Sequence, residues 1–477
     1  MSDFLSGMSG YIWGNNLFGV TGLLVPLLLG VGVMLTIVFR GFQFRYLGAA
    51  LHLALIKRSE DTEEGDISHY RALTTALSGT LGTGNIGGVG AAILIGGPGA
   101  LFWMWVTALF GMATKYAEAV LGVKYREVDE MGEQAGGPMF YLTRGIGGPF
   151  GRVLGTSFAI FAAIAAFGIG NAVQSFETSA AIEGAFGIPL WITGLVLATA
   201  AGVVILGGIK RIGLFTSIFV PFMAVLYIIF ATLVILLNIT NLPAAIGIVF
   251  ASAFTGPAMF GGAAGVGFAA VLSAGVARGI FSNESGLGTG GIAAASAQTT
   301  SPVRQGAVSM TQTFIDTIVV CSFTGLAIVS TGVWSTGETY GGSGARLTQV
   351  AFSEALGGIG PIFLAIGLAL FAFSTLITWA YYGERNMVYL FGRRGVFPYR
   401  LVFIAVIFIG ALVGSSESPL SPVWLFADVM NGLMALPNLI GLIFMAGVVW
   451  RETRDYFRRS GGTLESNVED SGEPRVR

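Results

Sequence analysis

Long apolar segments are the feature that most limits how this chain can fold. A helix of about 20 apolar residues is long enough to cross a bilayer. Eleven such stretches lie near 17–39, 72–96, 99–121, 150–180, 189–207, 212–238, 264–300, 302–332, 358–388, 397–415 and 421–450. Charged residues make up 11% of the chain, whereas about 25% is usual in soluble domains. The sequence therefore predicts an all-α polytopic membrane protein with about eleven transmembrane helices.

The basic residues predict the orientation of the spans. Lys and Arg accumulate in cytoplasmic loops of membrane proteins. Here they concentrate in alternate connecting segments, and the segments 239–263 and 415–420 contain none. We therefore expect a multi-pass protein of the plasma (inner) membrane with its N-terminus outside and its C-terminus in the cytoplasm.

Composition argues against several classes of function. A formal net charge of −1 does not favour nucleic acid as a partner. With two His and one Cys, the chain offers no metal-ligand cluster and no evident nucleophile with a base, so we do not expect an enzyme. A channel needs a continuous polar pore or a ring of charge, and no such ring is evident within one chain.

Two apolar segments are interrupted by glycines and small polar residues. They read SGTLGTGNIGGVGAA (78–92) and ARGIFSNESGLGTGGIAAASA (277–297). With the first span set aside, each opens a group of five spans, and the second group starts from the opposite side of the membrane. Glycine-interrupted spans at corresponding positions of two inverted halves indicate the binding site of a secondary transporter. The predicted units are 1–71 (extra helix and cytoplasmic loop), 72–238 (first repeat), 239–263 (extracellular loop), 264–450 (second repeat) and 451–477 (cytoplasmic tail).

A break within a membrane helix exposes backbone groups that can bind ligands. Unwinding frees N–H groups at the start of one half-helix and carbonyls at the end of the other. The N–H groups suit a carboxylate, and the carbonyls suit an ammonium group or Na⁺, so a zwitterionic amino acid fits both. Close helix packing is the alternative for a single glycine. Two clusters at matched positions, each with an asparagine (Asn85 and Asn283), favour the binding site.

The motifs of these segments resemble one family. GTGNIGG followed by GGPGALFWMW, then RGIFSNESGLG, and Asp316 with Thr317 are similar to the alanine or glycine:cation symporters, with Ser285 as a conservative departure. The resemblance covers about Tyr70 to Arg451. It implies the five-plus-five inverted-repeat fold of the bacterial leucine transporter with one extra N-terminal helix. It also implies Na⁺-coupled uptake of alanine or glycine without an organic cofactor. Proton coupling stays open as the alternative.

The breaks and the resemblance together suggest a substrate site. Its candidate residues are Thr83, Gly84, Asn85, Ile86, Gly87, Gln174, Phe176, Phe281, Ser282, Asn283, Gly286 and Trp379. Helical spacing places Gln174 on one face with Phe167, Gly170 and Asn171, where interhelical hydrogen bonding is the alternative; the resemblance favours substrate contact for Gln174 and Phe176. The bulk of Trp379 predicts alanine or glycine rather than leucine, because a packed site rejects added volume.

Other polar residues suggest an ion site and a charge pair. Hard cations prefer oxygen ligands, so Gly82, Ser374 and Thr375 are candidate Na⁺ ligands. Hydroxyls in helices commonly bond to the preceding turn, which is the alternative. Charges within a span indicate function, and for Arg278 and Glu284 we expect an ion pair with a structural or gating role. For Glu118 and Asp316, packing and proton-linked roles stay open.

Overall fold

A computed structural model describes residues 2–14, 22–59, 64–255, 267–338, 340–413 and 422–464. These residues form twenty α-helices and one two-stranded antiparallel sheet, β1 (Glu127–Val128) with β2 (Gln134–Ala135). In the first half the helices are α1 (Ser2–Trp13), α2 (Leu24–Val38), α3 (Phe42–His52), α4 (His69–Thr80), α5 (Gly87–Gly96), α6 (Gly99–Lys124), α7 (Pro138–Tyr141), α8 (Gly148–Phe167), α9 (Val173–Phe186), α10 (Leu190–Ile205), α11 (Gly208–Leu237) and α12 (Leu242–Thr255).

The second half is helical in the same way. Its helices are α13 (Phe268–Asn283), α14 (Thr289–Ala295), α15 (Pro302–Thr313), α16 (Ser322–Thr331), α17 (Gly344–Leu356), α18 (Ile359–Phe391), α19 (Val396–Leu412) and α20 (Pro422–Arg459). Short π-helical segments cover Leu53–Lys57, Leu142–Ile146, Gly168–Ala172 and Phe314–Cys321, and 3₁₀ turns cover Thr83–Asn85, Ile239–Asn241, Val333–Ser335, Tyr340–Gly342 and Gly392–Gly395.

Five helical segments of the described residues are individually long and apolar enough to cross a membrane. They are Gly148–Phe186, Gly208–Leu237, Pro302–Thr331, Ile359–Leu412 and Pro422–Arg459. A sixth results if Leu24–Val38 and Phe42–Lys57, which meet at an 82° bend, are counted together. The spans predicted at 72–96 and 264–300 are each interrupted, which leaves two shorter helices in each. The count of eleven spans stays a prediction.

Two predicted connections contain helices. The predicted extracellular loop 239–263 includes α12, and the segment that follows α16 includes α17, which packs closely on α5. A Cβ on Gly90 would lie 2.0 Å from the carbonyl oxygen of Gly344, so only glycine permits this approach. Parts of several predicted elements lie outside the described residues, namely 17–21, 256–266, 414–415, 421 and 465–477.

Two helices form the centre of the molecule. α6 packs against α13, α14 and α15, and α18 packs against α4, α8 and α9. Both present large, fully buried side chains, such as Tyr116 in α6 and Trp379 in α18. The interrupted helix pairs α4 with α5 and α13 with α14 therefore lie against this central framework.

The connection that follows α6 binds the segment that follows α14. Directly after α6, the Arg126 guanidinium donates to the carbonyls of Ala295, Ala297 and Thr299 at 3.1, 2.7 and 2.8 Å. Ile67 pairs with Ala297 as a parallel bridge. These contacts hold the end of α14 against the segment that precedes α4.

Candidate functional site

The first break separates α4 from α5. The helix ends at Thr80, Gly82 is extended, and a 3₁₀ turn leads into α5. The Asn85 side-chain oxygen accepts the N–H of Gly82 at 2.9 Å, which stabilises the turn. A Cβ on Gly82 would lie 2.6 Å from Thr375 Oγ1, so glycine is required because α18 approaches the backbone here.

The second break separates α13 from α14. Gly286 and Gly288 have φ of +95° and +87°, in the left-handed region that favours glycine. Their N–H groups both donate to Glu118 Oε1 at 3.0 Å. Asn438 Nδ2 donates to the same carboxylate oxygen and to the Gly286 carbonyl, each at 2.9 Å. Side chains of α6 and α20 thus satisfy the backbone groups that the break exposes.

The two breaks meet at a buried carboxylate. Asn85 Nδ2 donates to Asp316 Oδ1 at 2.7 Å and to Ser282 Oγ at 3.0 Å. The hydroxyls of Ser282 and Thr317 donate to Asp316 Oδ2 at 2.8 and 2.7 Å. Residues from both interrupted helices and from the π-helical segment therefore share one fully buried polar centre. Next to it, a Cβ on Gly84 would lie 3.1 Å from the ring of Phe281.

Gln174 contacts the first break directly. Its side-chain oxygen accepts the N–H of Thr83 at 3.1 Å, and its nitrogen donates to the Ile169 carbonyl at 2.9 Å. Asn171 instead donates to the Phe403 carbonyl in α19 at 2.8 Å. The single face predicted for these residues is wrong, because the π-helical segment Gly168–Ala172 changes the helical period between them.

Five oxygen atoms converge where α18 crosses the end of α4. Ser374 Oγ lies 3.3 Å from the carbonyl oxygens of both Ser78 and Leu81, and 2.8 Å from that of Phe371. Thr375 Oγ1 lies 3.2, 3.3 and 3.2 Å from the same three oxygens. The carbonyls opposite the hydroxyls are those of Ser78 and Leu81. Gly82 leaves room for Thr375 because it has no side chain, and its role as a Na⁺ ligand stays a prediction.

Trp379 lies between both breaks. Its indole N–H donates to Glu284 Oε1 at 2.8 Å and to the Gly79 carbonyl at 3.3 Å. Glu284 also accepts the Thr289 hydroxyl at 2.6 Å. A Cβ on Gly170 would lie 2.1 Å from Trp379, so the indole packs directly on the Gly170 backbone.

The predicted pair of Arg278 with Glu284 is not formed. α13 continues to Asn283, so the unwound segment does not separate the two residues. Arg278 instead binds Asp428 of α20 at 2.9 Å. Its guanidinium also lies over the ring of Phe281, at 5.6 Å from the ring centroid.

Aromatic rings complete this end of the site. The rings of Phe281 and Trp424 are 4.9 Å apart, and the Trp424 N–H donates to Glu177 Oε1 at 2.9 Å. The Arg278 guanidinium lies 5.1 Å from the Trp424 ring centroid. Phe281, Trp424 and the Arg278–Asp428 pair form a layer between the breaks and the start of α20.

Several predicted site residues face neighbouring helices. The Ile86 carbonyl accepts the Thr348 hydroxyl of α17 at 3.0 Å, and Gly87 lies against Ala345 of the same helix. Asn283 donates to Thr317 Oγ1 at 3.1 Å. Phe176 is buried within α9. The residues that the structure brings together around the breaks are Thr83, Gly84, Asn85, Gln174, Phe281, Ser282, Ser374, Thr375 and Trp379.

Two charged residues near the breaks were not predicted from the sequence. Lys115 is fully buried, with its ammonium 3.4 Å from Thr289 Oγ1 and 3.9 Å from Glu118 Oε2. Asp428 is the partner of Arg278. Both lie within predicted apolar spans, so an intramembrane charge was the signal that could have identified them.

A cluster of charges lies at the other end of the site, at the turn that joins β1 to β2. The buried Arg385 guanidinium contacts Asp129 at 2.9 Å, Glu133 at 3.0 Å and Glu384 at 2.9 Å. Burial raises the pKa of Glu133, and the nearby charge of Arg385 opposes that shift. Burial also raises the pKa of Asp66, and the hydrogen bond from the Gln134 N–H opposes that shift.

Two interrupted helices that meet at a buried polar centre are typical of a secondary transporter. A crystal structure of MhsT in complex with L-phenylalanine shares the fold. The match has a TM-score of 0.55 at 15% identity and covers 82% of this chain and 98% of that one. The fold is that of the leucine-transporter type.

Sequence comparison identifies the family. The sodium:alanine symporter family matches residues 4–470. The sodium/alanine symporter AgcS of Methanococcus maripaludis is 48% identical over 95% of this chain and 97% of its own length. A Bacillus subtilis protein named "Probable sodium/glutamine symporter GlnT" is 37% identical over 92% of this chain and 88% of its own. The chain belongs to the sodium:alanine symporter family and is a multi-pass membrane transporter, not an enzyme.

Proposed function

We propose that the protein imports alanine or glycine together with Na⁺ by alternating access, with its N-terminus outside and its C-terminus in the cytoplasm. The observation that carries Na⁺ coupling is the set of five oxygens from Ser78, Leu81, Phe371, Ser374 and Thr375. They combine two neutral hydroxyls with three carbonyls, a donor set that suits a hard monovalent cation. Na⁺ at this place would tie α18 to the end of α4.

The substrate is proposed to lie beside the first break. The Thr83 hydroxyl is fully buried and has no hydrogen-bond partner among the described residues. A buried hydroxyl without a hydrogen-bond partner destabilises the folded protein. A bound ligand that forms a hydrogen bond with Thr83 would remove that cost. The N–H groups at the start of α5 are available to a carboxylate. Trp379 lies against Gly79 and Phe281 against Gly84, and these bulky side chains beside the break favour a small substrate side chain.

The name of the relative AgcS supports alanine as substrate, and that of GlnT adds glutamine as an alternative. The position of Trp379 against Gly170 favours the smaller amino acid, because it leaves the indole no room to withdraw towards α8. Proton coupling is the second candidate, and the buried carboxylates Asp316 and Glu284 are the observation behind it.

Uptake of labelled alanine into proteoliposomes tests the proposal. An inward Na⁺ gradient should drive uptake, and an inward H⁺ gradient alone should not. Thr375→Ala should raise the half-saturating Na⁺ concentration about tenfold, which corresponds to roughly 1.4 kcal/mol. Thr232→Ala is the matched control, because among the described residues that hydroxyl bonds to its own helix, at the Ile228 carbonyl, and to no other element.

Each proposal has an outcome that overturns it. Uptake driven only by H⁺ would remove Na⁺ coupling and redirect the assignment to Asp316 and Glu284. Na⁺-driven uptake of glutamine without alanine or glycine would leave the ion site intact and overturn the substrate. An unchanged Na⁺ dependence in Thr375→Ala would place the ion elsewhere.

A further inference from the structure

A basic, aromatic-lined cleft lies where α2 turns into α3, away from the transport site. Its volume is about 350 Å³, and it is bounded by Arg40, Arg45 and Tyr46 on one side and by α20 on the other. α20 contributes Trp450 and Arg454. The three arginines are exposed. The cleft thus combines three cationic side chains with the aromatic rings of Tyr46 and Trp450.

The bend that forms the cleft places it at the edge of the apolar core. α2 and α3 meet at 82°, and Arg40 and Gly41 at the corner have φ of +54° and +66°. A helix nearly perpendicular to a membrane span lies along the bilayer surface. Trp and Tyr are enriched at this depth, as Trp450 and Tyr46 are here.

The arginines of the cleft are left available for an anion. The Arg40 guanidinium lies 5.3 Å from the Trp450 ring centroid, and that of Arg45 lies 5.6 Å from Tyr46. Within the described parts of the chain, no carboxylate forms a salt bridge with either arginine. Arg454 uses its Nε on Asp455 at 3.3 Å, which leaves its terminal nitrogens.

Acidic side chains beside the cleft are already occupied. Glu452 pairs with Lys124 at the end of α6, and Asp455 pairs with Arg454 and Arg458. The local charge of the cleft is therefore positive. Apolar rings line it beside the arginines, namely those of Phe39, Phe42 and Phe457. A phosphate group with attached hydrocarbon chains matches both properties.

We propose that this cleft binds the headgroup of an anionic glycerophospholipid, with Arg40, Arg45 and Arg454 around the phosphate and the acyl chains against its aromatic lining. Basic pockets between membrane helices recognise anionic headgroups in this way. The lipid would fix the corner between α2 and α3 against α20. The site is separate from the substrate and Na⁺ sites.

Native mass spectrometry of the purified protein, titrated with phosphatidylglycerol or phosphatidylcholine, tests the inference. Arg40→Gln/Arg45→Gln should bind phosphatidylglycerol about tenfold more weakly than the wild type. Arg393→Gln/Arg394→Gln removes the same charge from exposed arginines outside the cleft and should bind it like the wild type. Arg45→Lys should retain most of the affinity, because it keeps the charge. Comparable thermal melts of the variants without added lipid establish that they are folded.

Three results would overturn the assignment. If Arg40→Gln/Arg45→Gln and Arg393→Gln/Arg394→Gln bound phosphatidylglycerol equally well, the cleft would not be a specific lipid site. Equal binding of phosphatidylcholine and phosphatidylglycerol by the wild type would show that the positive charge does not select the ligand. Displacement of phosphatidylglycerol by glycerol 1-phosphate at similar concentrations would replace the lipid by a free phosphate ester.

Discussion

At the scale of single residues, the position of Trp379 depends on one glycine. The indole packs on Gly170, where a Cβ would lie 2.1 Å from it, and its N–H is held by Glu284. Gly170→Ala should therefore displace the indole and lower the rate of alanine uptake at least about tenfold, since over-packing a buried site forces side chains to move. Uptake by proteoliposomes, with protein content held equal, measures the effect.

The same helix offers a control for that substitution. Gly184 in α9 is exposed, and a Cβ there would have no neighbour within 4 Å. Gly184→Ala should leave uptake unchanged and stabilise the protein by at most about 1 kcal/mol, from helix propensity. Equal uptake by Gly170→Ala and Gly184→Ala would show that the Trp379 contact does not shape the site.

The sequence identified residue types at the site better than it identified their partners. Ser374 and Thr375 were predicted to face the first broken helix, and they do lie against its end. Which carbonyls they meet depends on α4 ending at Thr80, a detail that helical pattern does not resolve. The partner of Arg278 was missed because Asp428 is 150 positions away along the chain.

At the scale of elements, Glu118 holds the second break in place. One of its oxygens accepts from Gly286 N–H, Gly288 N–H and Asn438, and the other faces Lys115. Glu118→Ala removes the acceptor of the Gly286 and Gly288 N–H groups and the carboxylate that faces the buried ammonium of Lys115. We expect the free energy of unfolding to fall by at least about 3 kcal/mol, seen as a lower melting temperature in detergent.

Two further variants separate this effect from general damage. Glu118→Gln keeps an acceptor for the three donors but not the charge opposite Lys115, so its loss of stability should be intermediate. Glu183→Ala, at an exposed position of α9, should melt like the wild type. A Glu118→Ala protein as stable as Glu183→Ala would contradict the assigned role.

The interruptions were the most predictable elements because their signal is local. Glycines and small polar residues within an apolar segment mark both breaks, and the structure places a break in each. The helices α12 and α17 were not recognised within the connections. Helical spacing also cannot reveal a π-helical segment such as Gly168–Ala172, where one turn takes an extra residue.

At the scale of the whole molecule, two charge clusters lie at opposite ends of the site. Along α20, Asp428 precedes Asn438 at the second break, and Glu452 follows it and pairs with Lys124 at the end of α6. The Arg278–Asp428 pair and the cluster of Arg385 beyond α6 therefore lie on opposite sides of the breaks. Alternating access requires one cluster to open while the other stays closed.

The only cysteine of the chain can report which cluster opens. Cys321 is buried, and its sulfur lies 3.3 Å from Ser282 Oγ at the polar centre. Asp428→Asn weakens the Arg278–Asp428 pair, which the proposed orientation places towards the outside, so Cys321 should react faster with an impermeant thiol reagent in spheroplasts. Asp129→Asn weakens the Arg385 cluster and should accelerate the reaction in inverted vesicles. Cys321→Ser should not react in spheroplasts or in inverted vesicles.

Two results would contradict this prediction. If Asp428→Asn accelerated the reaction in inverted vesicles and Asp129→Asn in spheroplasts, the proposed orientation would be wrong, because each cluster would then face the other side of the membrane. Equal acceleration from both sides by either variant would mean that the clusters stabilise the fold without acting as gates.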